Sequence, residues 1–308
     1  MKSKKPDVIP VVLTYNNIQD TIECIYSLNR QTLLPSKILL VDNASTDGTP
    51  EVIRQLFPQV QIIESDVNRG VPAGYNLGIK EALLNKPDFL LIMNNDTILE
   101  TSALESMVRC AVDNHKATII LPQIRFYSAL HKQTISRNDI WTDGSYYRKF
   151  PPAIVLKDNR SRSDHNLTHR VEFAPACVLL ISPIVFNRIG FFDEDFFFLF
   201  EDWDFSKRVD DSGLEIWTDP NAIVWHKVSR SIGKDMSLYW YMMGRSGLIF
   251  TRKHYSFIAG NLQLVYYLIR DFLGKPRNLR YLLQYLDGIK AGRKMKLRTT
   301  QMENDYHD

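Results

Sequence analysis

Phe89-Leu90-Leu91-Ile92-Met93-Asn94-Asn95-Asp96 sets five apolar residues directly against two amides and a carboxylate. A short, continuous apolar run bounded by polar groups reads as a strand buried on both faces, the habit of parallel sheets covered by helices. Left buried without partners, such polar side chains cost about 2–7 kcal/mol each, so they serve either a cap or a ligand. The same design recurs upstream. Val8–Thr14 and Ile38–Asp42 read as buried strands whose tails are Thr14-Tyr15-Asn16 and Asp42-Asn43, and Val60–Glu64 is a shorter strand. Between them the spacing predicts helices over Gln19–Asn29, Thr49–Phe57 and Gly74–Leu84. Strands alternating with helices give an α/β fold with a mostly parallel central sheet flanked by helices. Ligands of such sheets gather outside the carboxyl ends of the strands, where these polar tails lie.

The bulk properties bound the function. With 308 residues, 44% of them hydrophobic and 24% charged, the chain has the make-up of a globular enzyme with a substantial core. A formal net charge of +3 is too slight to argue for nucleic acid. Cys24, Cys110 and Cys177 are odd in number and form no CxxC pair, which points to free thiols in a reducing compartment. Neither a secretory leader nor a spanning apolar helix is read from the chain, so a cytoplasmic location is expected.

Three further motifs carry chemistry. Val41-Asp42-Asn43-Ala44-Ser45-Thr46-Asp47-Gly48-Thr49 joins a strand to a helix; Ser45 or Asp47 suits the cap, and Asp42 is placed to accept a hydrogen bond from a base or ribose. Gly70, Gly74 and Gly78 fall four apart, which lets a helix lie close on the sheet, with Arg69 projecting from the preceding turn. Glu201-Asp202-Trp203-Asp204 follows the aromatic run Phe196–Phe200, an apolar setting that tunes a carboxylate upward for general-base work. The same acids also suit a helix N-terminus. Asp96, unless it caps a helix starting near Thr101, is a hard oxygen ligand for a divalent cation, and His226, at the end of Ala222–Trp225, adds an imidazole.

In this order the motifs resemble the family-2 glycosyltransferases of the GT-A (Rossmann-like) fold, and most closely the bacterial rhamnosyltransferases and galactofuranosyltransferases of cell-surface polysaccharide synthesis; the resemblance spans about Val8 to Ser231. It implies an inverting transferase that uses a nucleotide-diphosphate sugar, dTDP-rhamnose or a UDP-hexose, and a saccharide or lipid-linked acceptor. It also implies that Thr14, Tyr15, Asn16, Asp42, Asn43, Arg69, Asn94 and Asn95 hold the nucleotide. Asp96 and His226 would bind Mn2+ or Mg2+, and Lys227 and Arg230 would steady the departing phosphate. Asp202 would be the base, with Glu201, Trp203 and Asp204 supporting it or the acceptor. Asn94 stands where the family usually has the first acid of Asp-x-Asp.

A catalytic domain over 1–235 is expected, with a nucleotide half to about 122 and an acceptor half from 123, followed by a helical, basic extension over 236–308. From about Arg125 to Arg170 no definite element is predicted. Leu262, Val265, Tyr266 and Ile269 fall on helical spacing ahead of many Lys and Arg, which suits the inner face of the plasma membrane, a homo-oligomer contact, or simple packing. The competing reading is a non-catalytic nucleotide-sugar or glycan-binding protein on the same fold.

Overall fold

Val8–Thr14 forms β1, buried along its whole length, and the runs read above as strands are strands. The computed structural model describes residues 5–127, 140–148, 153–155, 166–227, 236–273 and 279–298. Within it, α1 (Ile18–Asn29), β2 (Leu39–Asp42), α2 (Thr49–Leu56), β3 (Gln61–Glu64), α3 (Gly70–Leu83) and β4 (Phe89–Asn94) follow β1 in the expected alternation. β5 (Thr97–Leu99), α4 (Ala103–Asp113), β6 (Ala117–Phe126), β7 (Ile140–Thr142), β8 (Tyr146–Arg148), β9 (Ala153–Val155) and β10 (His169–Val171) come next. β11 (Val178–Ile181), α5 (Ile184–Ile189), α6 (Glu201–Asp211), β12 (Glu215–His226), α7 (Ser237–His254), α8 (Phe257–Leu273) and α9 (Leu279–Lys294) complete the order. The stretch with no predicted element thus contains β7 to β9 and borders β6 and β10.

The described strands make a sheet of order β10-β12-β6-β11-β4-β1-β2-β3, with β5 paired to β12 and β7 to β6. It is mostly parallel: β12, β6, β4, β1, β2 and β3 run one way, and β10 and β11 run against them. α3 begins a turn earlier than its spacing suggests, at Gly70, because Pro72 falls in the first turn, where no N–H is needed. A Cβ at Gly78 would strike Val11 and Val41, so the glycine lets α3 lie directly on β1 and β2. Apolar clusters fill both faces of the sheet.

A third cluster joins Phe196 and Phe200 to Trp240, Met243, Ile249 and Phe250 of α7 and Tyr285 of α9. α7 and α9 cross where Gly244 meets the Tyr285 backbone and Gly288 meets that of Tyr241; a side chain at either would overlap a carbonyl oxygen.

Candidate active site

Asp96 does not cap a helix. The chain turns after β4 into β5, whose pairing with β12 sets His226 opposite Thr97. Asp96 Oδ1 and His226 Nε2 consequently lie 3.3 Å apart. Asp96 Oδ1 and His226 Nδ1 are buried and have no hydrogen-bond partner, and the Trp141 ring stands edge-on to the imidazole at 4.9 Å. Two neighbouring donors, one hard oxygen and one imidazole nitrogen, fit a divalent cation of the Mg2+ or Mn2+ type, which takes few protein ligands and completes its shell from phosphates and water. Among the described residues no group of three or more His, Cys, Asp or Glu side chains converges on a metal site.

The second carboxylate reaches the same edge of the sheet through β11. Its antiparallel pairing with β4 brings Ala176 and Cys177 beside Asn94, whose amide N–H donates to the Cys177 carbonyl at 2.9 Å. Tyr75, fully buried in α3, donates its hydroxyl to this junction, with Asn94 Oδ1 at 2.6 Å and the Ala176 carbonyl at 3.0 Å. Asp202, in the first turn of α6, accepts hydrogen bonds from the amides of Trp203, at 2.9 Å, and Ala176. Burial pushes its carboxyl up to about 7 against the pull of those amides. Glu201 is pushed the same way, first by burial and then by the neighbouring Asp202 charge, and its Oε2 is buried without a partner.

The turn that delivers α6 is strained. Leu199 and Phe200 both adopt left-handed backbone conformations, at φ 65° and 70°. Such non-glycine residues cost on the order of 1–3 kcal/mol each and persist where surrounding packing over-determines them. Here the Phe200 ring lies against Trp203 at 4.6 Å and Phe250 at 5.7 Å between centroids. Asp204 is a brace: Arg208 Nε donates to one oxygen and His254 Nε2 meets the other, both at 2.8 Å. Burial would raise its carboxyl, but Arg208 and His254 outweigh it and hold it below the ordinary value. Trp203 packs in the same aromatic cluster, and its carbonyl accepts from Tyr147 at 3.1 Å.

The residues expected to hold the nucleotide divide sharply. Asn95 Nδ2 donates to Thr14 Oγ1, Thr21 Oγ1 and the Asn16 carbonyl at 2.9–3.1 Å. Asn16 ties the loop after β1 to that after β2, its N–H donating to Ser45 and its Oδ1 accepting from Thr46. Asn43 likewise binds Asn68, the Gly70 carbonyl and the Arg69 amide. Thr14, Asn16, Asn43 and Asn95 thus shape the loops, and their side chains are engaged with the protein. Tyr15 and Arg69 are exposed, and Asp42 keeps a buried Oδ1 without a partner while its Oδ2 accepts from Ser45 at 2.9 Å. Asp47, rather than Ser45, satisfies the start of α2 by accepting from the Thr49 amide.

Lys227, expected to steady the departing phosphate, is engaged with the protein. Its ammonium is buried, 2.6 Å from Asp20 and 2.7 Å from Glu23 of α1. Burial would lower its pKa, but those two hydrogen bonds more than offset this and hold it above the ordinary value. Arg230 lies outside the described residues. Sequence reading passed over Tyr75, Trp141, His254 and the Asp20–Lys227 pair, whose partners are distant along the chain.

Solved structures share this fold. GalNAc-T7 with UDP, GalNAc and Mn2+ superposes with a TM-score of 0.58 at 12% identity, covering 78% of this chain and 48% of that one. S. aureus TarS in complex with UDP gives 0.51 at 16% identity, covering 79% and 65%. The chain thus spans about half the length of the first and two thirds of the second, and both likenesses are of the GT-A fold. In sequence, it is 26% identical over 267 residues to the N-acetylglucosaminyl-diphospho-decaprenol L-rhamnosyltransferase of Mycobacterium tuberculosis, covering 81% of this chain and 86% of that protein. It is 19% identical over 306 residues to the dTDP-rhamnosyl transferase RfbF of Shigella flexneri, covering 92% and 96%. Residues 11–178, more than half of the chain, match Glycosyl transferase family 2, and the protein belongs to that family of glycosyltransferases.

Proposed function

We propose that the enzyme transfers a hexose, from dTDP-rhamnose or a UDP-hexose, to a saccharide or lipid-linked acceptor with inversion of configuration, in cell-surface polysaccharide synthesis at the cytoplasmic face of a membrane. The observation that carries this reading is Asp202: a carboxylate pushed up towards neutrality and held by two backbone amides beside the sheet edge that bears Asp96 and His226. A general base needs such a pKa near its working pH and a fixed orientation. The names of the mycobacterial and Shigella relatives support the sugar class, and the first of them supports a lipid-linked acceptor.

In this reading the nucleotide lies over the loops after β1 and β2. Tyr15 flanks the base, Asp42 Oδ1 accepts from base or ribose, and Arg69 adds positive charge. Asp96 and His226 would hold Mn2+ or Mg2+. When bound, the cation would supply Lewis-acid stabilisation of the charge on the departing diphosphate. Asp202 takes the proton of the attacking acceptor hydroxyl, on the face opposite the leaving group. Glu201 keeps a second buried carboxyl beside it, which favours one shared negative charge over two. Residues to about 122 form the donor half, 123–235 the acceptor half, and 236–308 a helical extension.

The test is Asp202→Asn, which keeps the shape and the amide contacts but cannot accept the proton. Thermal shifts with dTDP, UDP and GDP, with and without Mn2+, would match wild type, because ligands stabilise by binding the folded state. Transfer would fall by about 10²–10⁴-fold. Normal transfer by this variant would overturn the assignment.

A further inference from the structure

α8 is amphipathic in the reverse of the usual sense for a surface helix. Its inner side packs on α7, where Gly260 meets Thr251 and where Gln263 and Leu264 are buried. Its outer side carries Ile258, Leu262, Val265 and Ile269 at helical spacing, with Phe257 beside them. Phe257 is 86% exposed, Ile258 73%, and the others about half. A helix facing water places charged and polar groups there, and an apolar row this long marks a contact surface. α9 behaves alike. It buries Tyr285, Gly288 and Gly292 against α7 and exposes Leu279, Leu283 and Leu286, followed on the same face by Lys290, Arg293 and Lys294. Among the described residues of that face the exposed acid is Asp287, and Lys290 engages it at 3.1 Å. No helix among the described residues is long and apolar enough to cross a membrane.

We propose that α8 and α9 dock the enzyme flat on an anionic lipid bilayer. Phe257, Ile258, Leu262 and Val265 enter the acyl boundary, and Arg293 and Lys294 meet the headgroups. Apolar rows flanked by cations, on helices too polar to span, are the physical signature of in-plane binding. A second copy of the chain suits the face less well, because Arg293 and Lys294 would be buried with no free acid described there to receive them. The proposal deepens the reading of a lipid-linked acceptor, since docking holds α7 and the base helix it braces close to a bilayer. Its test reads no sugar transfer and therefore fails or succeeds independently of that reading.

The experiment is flotation of the full chain with vesicles of phosphatidylcholine alone or mixed with phosphatidylglycerol, at low and high salt. Wild type is expected to float with the anionic vesicles, less so at high salt. Arg293→Gln with Lys294→Gln should lower partitioning about 25-fold, at about fivefold for each basic residue near an anionic surface. Phe257→Ser with Ile258→Ser and Leu262→Ser should lower it more than about tenfold. These positions are exposed, so both variants should keep the wild-type melting temperature and nucleotide-induced shift. Failure of wild type to float with anionic vesicles would overturn the proposal, as would variants that float like wild type. A concentration-dependent dimer in light scattering that the serine variant abolishes, without vesicle binding, would assign the face to self-association instead.

Discussion

Replacing Lys227 with Met separates two roles for this residue. The side chain is 4% exposed, Asp20 is 1% exposed, and the ammonium sits 2.6 Å from Asp20 and 2.7 Å from Glu23. Met fills a similar volume but leaves Asp20 as a buried charge without its counter-ion. Breaking a buried pair from one side costs about 3–5 kcal/mol, a large part of a total stability of about 5–15 kcal/mol. For a chain of this size that corresponds to a fall in melting temperature on the order of 10 °C. Because the lysine pKa is held above its ordinary value, the contribution is complete at neutral pH and is lost only as strong alkali deprotonates it. The assay is thermal unfolding followed by circular dichroism, together with donor titration below the transition. The variant should melt low yet bind the nucleotide diphosphate normally, and adding Asp20→Asn should restore much of the loss. A variant that melts within about 1 °C of wild type but binds donor tenfold more weakly would refute the reasoning and make Lys227 a phosphate ligand.

Three further outcomes follow from the same geometry. As pH rises, kcat/KM should climb and level off above about 7, the value to which burial lifts Asp202, and the residual activity of Asp202→Asn should lack this limb. Stability should move the other way: between about pH 4 and 8 the folded protein holds protons on Asp202 and Glu201 that the unfolded chain has released, so urea midpoints should fall as pH rises through that window. Gly288→Ala would place a Cβ against the Tyr241 carbonyl oxygen and force α7 and α9 apart. A loss of about 1–3 kcal/mol in urea unfolding is expected, and an unchanged midpoint would show that the crossing is looser than described.

The first half of the chain was legible because its code is local. β1 to β4 are continuous apolar runs, and α1 to α3 lie between them with glycines where backbones touch. The polar strand tails at one edge of the sheet were also legible. Which tails are engaged within the protein was not, because Asn16, Asn43 and Asn95 look as available in sequence as Asp42 and become braces only through contacts with neighbouring loops. β5 escaped notice because three residues carry no period. It exists because β12, more than 100 residues later, pairs with it, and that pairing brings His226 to Asp96. Lys227 finds Asp20 across 207 positions, and Tyr75 finds Ala176 across 101. No spacing rule reaches so far.

The aromatic run before Glu201 shows the limit from the other side. Its composition announced an unusual environment for a carboxylate, and burial does dominate the shift at Asp202. The packing that makes the environment comes from elsewhere. Phe200 is held in its left-handed turn by Trp203 and by Phe250 of α7, with Gly247 of α7 leaving room for its ring. His254, at the end of the same helix, fixes Asp204, two residues after Asp202. A helix that reads in sequence as the start of an extension is therefore part of what holds the turn bearing Glu201 to Asp204. The carboxylates lie within four residues, whereas part of the packing that holds their turn comes from a helix some 40 residues downstream.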